Sequence, residues 1–144
     1  MPKLPRYILP FTPHPDIRRR PAPFHKTFRR MKHCIDFAMP ENTPVLAARD
    51  GIVLQCRDSL WANYTDPKYA KRCNFIIILH ADGEESHYVH LQHGSACVTV
   101  EQCVRAGQMI ARSGQTGYAT YPHLHFGVYN LRDTNIPVRF RTAT

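Results

Sequence analysis

The tripeptide His123-Leu124-His125 constrains this chain more than any other feature of its sequence. In a β-strand, residues two positions apart point to the same face, so both imidazoles would leave one face of a sheet together. Phe126 is a good strand former, and Pro122 suits the first position of a strand, where no ladder hydrogen bond is donated. The pattern predicts a strand that presents metal ligands or an acid–base pair. The alternative is a chance pair of surface imidazoles on an edge strand.

Two further segments carry residues of the same chemistry. Residues 86–91 form a short alternating segment, in which strand alternation places His90 on the face of Tyr88. Asp36 lies in the apolar run 33–38, and a carboxylate buried there needs a partner. A catalytic zinc site uses three protein ligands with nitrogen or oxygen donors and leaves a fourth position for water. Histidines and an aspartate from separate strands therefore predict a metal site.

Six blocks that surround these residues occur in order, and the match that they define covers nearly the whole chain, roughly residues 25 to 130. They are Asp36–Val45, Ala47–Val53, Tyr88–Leu91, Gly107–Ile110, Ser113–Gly117 and Pro122–Phe126. Together they resemble the lysostaphin or LytM-type metallopeptidases, which cut peptide bonds in the peptidoglycan of bacterial cell walls. The resemblance implies a zinc-dependent endopeptidase with one Zn²⁺ per chain, whose partner is peptidoglycan and whose substrates are stem peptides or cross-links.

Carried over residue by residue, the resemblance makes Asp36 and His125 zinc ligands and makes His90 and His123 the catalytic pair. The third ligand departs from the family pattern. Better-known members place a histidine four residues before the aspartate, and Lys32 stands there in this chain. A lysine ammonium has only donors and is a poor zinc ligand unless it is deprotonated.

Two histidines can fill the third position. His33 lies three residues before Asp36, so in an extended segment it faces the opposite side and needs a bulge to reach the metal. His25 lies eleven residues upstream of Asp36 and approaches the metal if residues 26–31 form a returning loop. A branch of the family has its histidine upstream of a short loop, so His25 is the preferred ligand and His33 the alternative.

The resemblance also implies a mechanism and leaves a rival function open. Zinc would lower the pKa of a bound water, and the chain has no His-Glu-x-x-His sequence to supply a glutamate base. His90 or His123 would therefore take the proton from water and deliver it to the leaving amine. Some relatives that lack metal ligands bind the cell wall or activate amidases, and Lys32 makes this inactive module the alternative.

Composition and turn signals predict the fold class. A chain of 144 residues fits one domain. Short apolar runs, frequent proline and the Asp-Gly turn in residues 80–84 favour mainly β-structure: a single domain of antiparallel sheets with long loops and little helix. The polar segment between Cys56 and Cys73 is expected to be a long loop, with at most one helical turn. Residues 1–24 are expected to form a Pro/Arg-rich N-terminal arm, and residues 25–144 the LytM-type metallopeptidase domain.

The net charge of +8 favours an anionic partner. The basic residues cluster near the N-terminus without a recognisable DNA- or RNA-binding motif, so no specific nucleic acid is expected. Bacterial cell walls are also polyanionic. No apolar run is long enough for a transmembrane segment or a visible signal peptide, although peptidoglycan implies a periplasmic or extracellular location for a secreted protein.

The five cysteines leave two redox states open. Cys56 with Cys73 and Cys97 with Cys103 would form loop-closing disulfides that suit an oxidising compartment, with Cys34 left over. The alternative is five reduced and partly buried thiols.

Overall fold

Short, alternating strands pair into one large antiparallel sheet in the computed structural model, which describes residues 5–141 of the chain. The strands are β1 Arg18–Arg20, β2 Ile35–Ala38, β3 Pro44–Leu46, β4 Gly51–Arg57, β5 Asn63–Tyr64, β6 Phe75–Leu79, β7 Glu85–Val89, β8 Cys103–Val104, β9 Met109–Arg112, β10 Gly117–Tyr118, β11 His123–Tyr129 and β12 Asn135–Ile136. The helical elements are α1 Pro23–Thr27 and the 3-10 turns Arg29–Met31 and Pro67–Tyr69.

The main sheet has eight strands in the order β1-β2-β11-β7-β6-β4-β8, and β12 pairs with the far end of β11. Its strand pairs are all antiparallel. Two small sheets accompany it, namely the antiparallel pair β3-β9 and the parallel pair β5-β10. The predicted fold class, antiparallel sheets with long loops and little helix, is confirmed.

Strand β11 lies inside the sheet, and all seven of its residues are buried. Its even-numbered residues Leu124, Phe126 and Val128 join the apolar core, because alternation turns them to one face. Phe37 of β2 belongs to the same core. Burying a large apolar side chain contributes about 1.5–3 kcal/mol to folding, so this face holds β11 in place.

The β6–β7 hairpin turns through residues 80–84, as its Asp-Gly sequence predicts. Gly83 has a φ of +86°, a conformation that costs glycine little. The backbone N–H of His80 donates to the Glu84 carbonyl at 2.8 Å, and that of Gly83 donates to the His80 carbonyl at 3.0 Å. The turn prediction is confirmed.

The segment between Cys56 and Cys73 contains both the predicted helical turn and a two-residue strand, β5. Strand β5 pairs in parallel with β10, and the Asn63 side-chain amide donates to the carbonyls of Gln115 and Ala119 at 2.7 and 2.8 Å. This segment therefore fastens the chain that precedes β11.

The described part of the N-terminal arm lies against the domain. Tyr7 and Phe11 are buried in the core, and β1 pairs with β2 at the edge of the main sheet. The described part of the arm is therefore held against the domain by buried apolar side chains and by the hydrogen bonds between β1 and β2. The first four residues of the expected arm lie outside the described residues.

All five cysteines are free thiols in this structure, so the two loop-closing disulfides are not formed. No helix within residues 5–141 has the length and apolar character needed to cross a membrane.

Tyr88 anchors a directional hydrogen-bond chain in the core. The N–H of Ala48 donates to the Tyr88 hydroxyl at 2.8 Å, and that hydroxyl lies 2.9 Å from Ser86 Oγ. Ser86 Oγ lies 2.9 Å from Nε2 of His80, whose Nδ1 donates to the Asp50 carbonyl at 2.7 Å. Burial lowers the pKa of His80 and so favours the neutral ring that this chain of bonds requires.

Tyr88→Phe should reduce the free energy of unfolding by about 1–3 kcal/mol, because the buried Ala48 N–H loses its acceptor. Urea denaturation measures the change. Tyr69→Phe is the matched control, since the Tyr69 hydroxyl has no hydrogen-bond partner in residues 5–141, and its midpoint should not move. Equal effects of the two substitutions would contradict the assigned role of Tyr88.

Candidate metal centre

Three ligand atoms from distant parts of the chain form a nearly equilateral triangle. Nδ1 of His125 lies 3.1 Å from Nε2 of His25, and each of these nitrogens lies 3.2 Å from Oδ1 of Asp36. All three side chains are buried or nearly so. Within residues 5–141, this is the cluster of His, Cys, Asp and Glu side chains with the spacing of a metal site.

The triangle fits a tetrahedral metal ion. Zinc–nitrogen and zinc–oxygen bonds of about 2.0–2.1 Å place neighbouring tetrahedral ligands roughly 3.3–3.4 Å apart. The observed spacing is slightly shorter, and a small outward rotation of the side chains would meet that value. Two imidazoles and one carboxylate also match the donors that zinc accepts, so these residues fit the metal.

Strand register produces two corners of the triangle. Asp36 of β2 is directly opposite His125 of β11, so the two side chains leave the same face of the sheet. His25, the buried residue of helix α1, supplies the third corner. The Nδ1–H of His25 donates to the Cys34 carbonyl at 3.2 Å, which leaves the Nε2 lone pair directed at Asp36.

The face that carries His125 also carries His123, as the His-x-His spacing predicts. Nδ1 of His123 lies 2.8 Å from the Tyr121 carbonyl, which can only accept, so Nδ1 bears the hydrogen. Its Nε2 lies 3.6 Å from Oδ1 of Asp36. A neutral His123 therefore presents a proton-accepting nitrogen beside the triangle.

His90 reaches the site by a route that strand alternation does not predict. Alternation placed it on the face of Tyr88, which is the core face, and that expectation is wrong. Strand β7 ends at Val89, and His90 has a φ of +69°, a left-handed conformation that is uncommon for residues other than glycine. This backbone change brings the His90 ring to 4.6 Å from the His123 ring, centroid to centroid.

A backbone carbonyl fixes the His90 ring as well. Its Nδ1–H donates to the Thr116 carbonyl at 2.7 Å, so Nε2 is free to accept a proton. Thr116 lies in the segment that Asn63 fastens, so the β5 insertion indirectly supports the His90 ring. Strain of this kind clusters at functional sites, where surrounding contacts maintain it.

The surroundings of the site shift the pKa values of these groups in different directions. Burial would raise the pKa of Asp36, but the facing His125 and His25 rings overcome burial and hold that pKa well below its usual range. Burial opposes a charged His125, yet Asp36 and the Cys34 thiol raise the pKa of His125 to about 10. Burial, reinforced by His123 and His125, lowers the pKa of His90 to about 3. His90 is therefore neutral at neutral pH.

The two alternatives for the third ligand occupy different places. The His25 side chain completes the triangle, whereas His33 and Lys32 line a neighbouring cavity. Residues 26–31 return to the site through the end of α1 and a 3-10 turn, as the choice of His25 requires. The assignment of His25, Asp36 and His125 as ligands stays a prediction.

A cavity of about 300 Å³ opens over the triangle and has a mainly apolar wall. Sequence reasoning missed Tyr121 in that wall, because it lies before the start of β11, where strand alternation gives no prediction. The Tyr121 hydroxyl is buried and has no hydrogen-bond partner within residues 5–141.

Comparison with known proteins identifies the family to which this arrangement belongs. Residues 30–138, three-quarters of the chain, match peptidase family M23. The chain belongs to peptidase family M23. The resemblance to lysostaphin and LytM-type enzymes is thereby confirmed, and the M23 match begins after His25.

Similar proteins include a peptidoglycan endopeptidase and an antimicrobial peptidase. The chain is 34% identical over 131 residues to the peptidoglycan DD-endopeptidase ShyA of Vibrio cholerae, an alignment that covers 87% of this chain and 26% of ShyA. The catalytic domain of lysostaphin from Staphylococcus simulans superposes with a TM-score of 0.59 at 33% identity, covering 74% of this chain and 75% of that domain. A putative M23 peptidase from Pseudomonas aeruginosa gives 0.65 at 27% identity, covering 94% and 51%. The chain spans about a quarter of the length of ShyA.

His25→Ala should remove bound zinc, because it deletes one of three ligands, whereas His33→Ala should leave zinc content near that of the wild type. Elemental analysis of the purified proteins measures the difference, and circular dichroism confirms that both variants fold. Retention of zinc by His25→Ala together with its loss from His33→Ala would assign the third ligand to His33.

Proposed function

We propose that this M23 protein is a zinc-dependent endopeptidase that hydrolyses peptide bonds in the stem peptides or cross-links of bacterial peptidoglycan. One observation carries the proposal. The ligand atoms of His25, Asp36 and His125 lie within 3.2 Å of one another, and the proton-accepting Nε2 atoms of His90 and His123 belong to the same cavity. A spacing that fits a metal, next to two neutral bases, suits hydrolysis.

His25, Asp36 and His125 would hold one Zn²⁺ per chain. A zinc ion bound there would polarise the scissile carbonyl and lower the pKa of a bound water towards about 7. The assignment of zinc rests on the donor set of two nitrogens and one oxygen, because catalytic zinc sites use three protein ligands of these types.

The chain's own residues would move the protons. Nε2 of His90 or of His123 accepts a proton as the water oxygen bonds to the carbonyl carbon, and the same pair returns a proton to the amine nitrogen when the carbon–nitrogen bond breaks. The Nδ1 atoms of both rings stay bonded to the carbonyls of Thr116 and Tyr121, so each ring keeps its orientation throughout. The protonated ring also stabilises the developing oxyanion.

Peptidoglycan places the reaction outside the cytoplasm, in the periplasm or the extracellular space. The net charge of +8 would attract a polyanionic wall over a long range. Residues 25–144 would form the catalytic domain. The preceding segment of residues 1–24 would extend it, since the described part of that segment supplies β1 and core residues.

The competing function is an inactive module that binds the cell wall or activates an amidase. Lys32 at the usual ligand position favours that function. The position of His25 favours the enzyme, because its Nε2 atom supplies the donor that Lys32 does not. Loss of catalysis would remove any advantage in keeping two oriented bases beside the triangle.

Purified protein should contain about one zinc per chain and release soluble fragments from purified peptidoglycan, and a chelator should abolish both properties. Fragment release is followed by absorbance and chromatography, and metal content by elemental analysis. Readdition of zinc should restore release. Protein without zinc that binds peptidoglycan but releases nothing would support the inactive module.

Substitution of the two β11 histidines should separate metal binding from turnover. His125→Ala should lose zinc and activity together, because Nδ1 of His125 is a proposed ligand. His123→Ala should retain zinc but reduce kcat by at least a hundredfold, since general acid–base catalysis contributes roughly 10²–10⁴. Equal zinc loss in both variants would show that the two roles are misassigned.

A further inference from the structure

A second cavity adjoins the metal cavity and is lined by cationic side chains. It has a volume of about 270 Å³ and shares Pro21, Ala22 and His25 with the metal cavity. No aspartate or glutamate lies on its wall among the residues that the structure describes. This cavity is here called the basic pocket, and its ionisable lining residues are Arg19, Arg20, Lys26, Lys32, His33, Cys34 and the shared His25.

The arginines and lysines of the basic pocket have no carboxylate partner. No ion pair within residues 5–141 includes Arg19, Arg20, Lys26 or Lys32. Elsewhere, Arg30 and Arg49 each contact acidic side chains. A concave surface that carries one sign of charge focuses the potential and concentrates anions of the opposite sign.

Strand register ties the basic pocket to the metal centre. Arg20 of β1 is directly opposite Asp36 of β2, which is in turn opposite His125 of β11. The Arg20 guanidinium lies over the Tyr121 ring at 5.2 Å from its centroid, and Tyr121 lines the metal cavity. Arg20 and Tyr121 therefore form a border that a bound molecule crosses in passing from one cavity to the other.

His25 is the other part of that border. Its Nε2 atom faces Asp36, and His25 is among the residues that line both cavities. Because the two cavities share wall residues, a group held in the basic pocket would belong to a residue close in sequence to the bond at the metal centre.

We propose that the basic pocket binds a carboxylate of the substrate peptide, so that this chain prefers peptides with a free carboxylate near the scissile bond over uncharged, glycine-only bridges. The proposal rests on the proposed function. Peptide anions are carboxylates, and an arginine fork with flanking ammonium groups matches them. Lys32, which cannot serve as a metal ligand while charged, has a defined role in this pocket.

A charge-removal series tests the proposal. The probes are two synthetic cross-linked peptide dimers that differ only in whether their free carboxylates are retained or converted to primary amides. Kd is measured by calorimetry in the zinc-containing His123→Ala background, so that turnover does not consume the probe. The values of kcat/KM are measured in the wild-type background.

Lys26→Gln combined with Lys32→Gln removes two charges from the basic pocket. Arg105→Gln combined with Arg132→Gln is the matched control, because both arginines are exposed and lie outside the pocket lining. With the pocket intact, the carboxylate dimer should bind about tenfold more tightly than the amide dimer, a ratio expected of a few exposed charge pairs, and salt should reduce it. The pocket variant should lower the ratio to about threefold, because Arg19 and Arg20 remain in the pocket, and the control should preserve the full ratio.

Restoring the charge should restore selectivity, so Lys26→Arg combined with Lys32→Arg should keep most of the tenfold ratio. Equal binding of the two dimers by the intact pocket, binding of neither dimer, or an unchanged ratio in the Gln variant would overturn the proposal. Selective binding without hydrolysis by the wild type would reject the proposed function and retain the pocket. Hydrolysis by the wild type with no preference between the two dimers would retain the proposed function and reject the role of the basic pocket.

Discussion

The antiparallel register between β2 and β11 is the constraint on which the rest of the structure depends. It sets Asp36 opposite His125, and it places His123 two residues further along the same face. Because side chains alternate with a period of two, a slip of one residue would turn these groups into the core and bring apolar side chains to the metal face. The chemistry of the site is therefore a property of strand pairing.

The apolar face of the same two strands maintains that register. Leu124 and Phe126 of β11 and Ile35 and Phe37 of β2 are buried in one core cluster. Each would lose a large part of its burial if either strand shifted, and truncating such a side chain typically costs a few kcal/mol. The buried Asp36 is costly by itself, so its two imidazole neighbours and the rigid apolar face beneath it are needed together.

The edges of the site are held by shorter and less regular pieces. Helix α1 brings in His25, and the Thr116 carbonyl orients His90, while Asn63 fastens the segment that contains Thr116. These pieces carry local conformations, such as the left-handed φ of His90, that tertiary hydrogen bonds must maintain. The regular strands β2 and β11 position the central groups, and the edge strand β1, helix α1 and the connecting loops line the neighbouring cavities.

The sequence alone determined the fold class, the family, and the His123, His125 and Asp36 positions, because strand alternation and ordered blocks are local signals that survive in any compact fold. It also reduced the candidates for the third metal ligand to His25 and His33. Only the tertiary structure decided that His25 joins Asp36 while His33 lines the basic pocket, since the path of residues 26–31 depends on packing. Tertiary contacts also bring His90 to the face that carries His123, although strand alternation predicts the opposite face. They place Arg19 and Arg20 beside the site. In each case the deciding interaction is a long-range contact, which no window of neighbouring residues encodes.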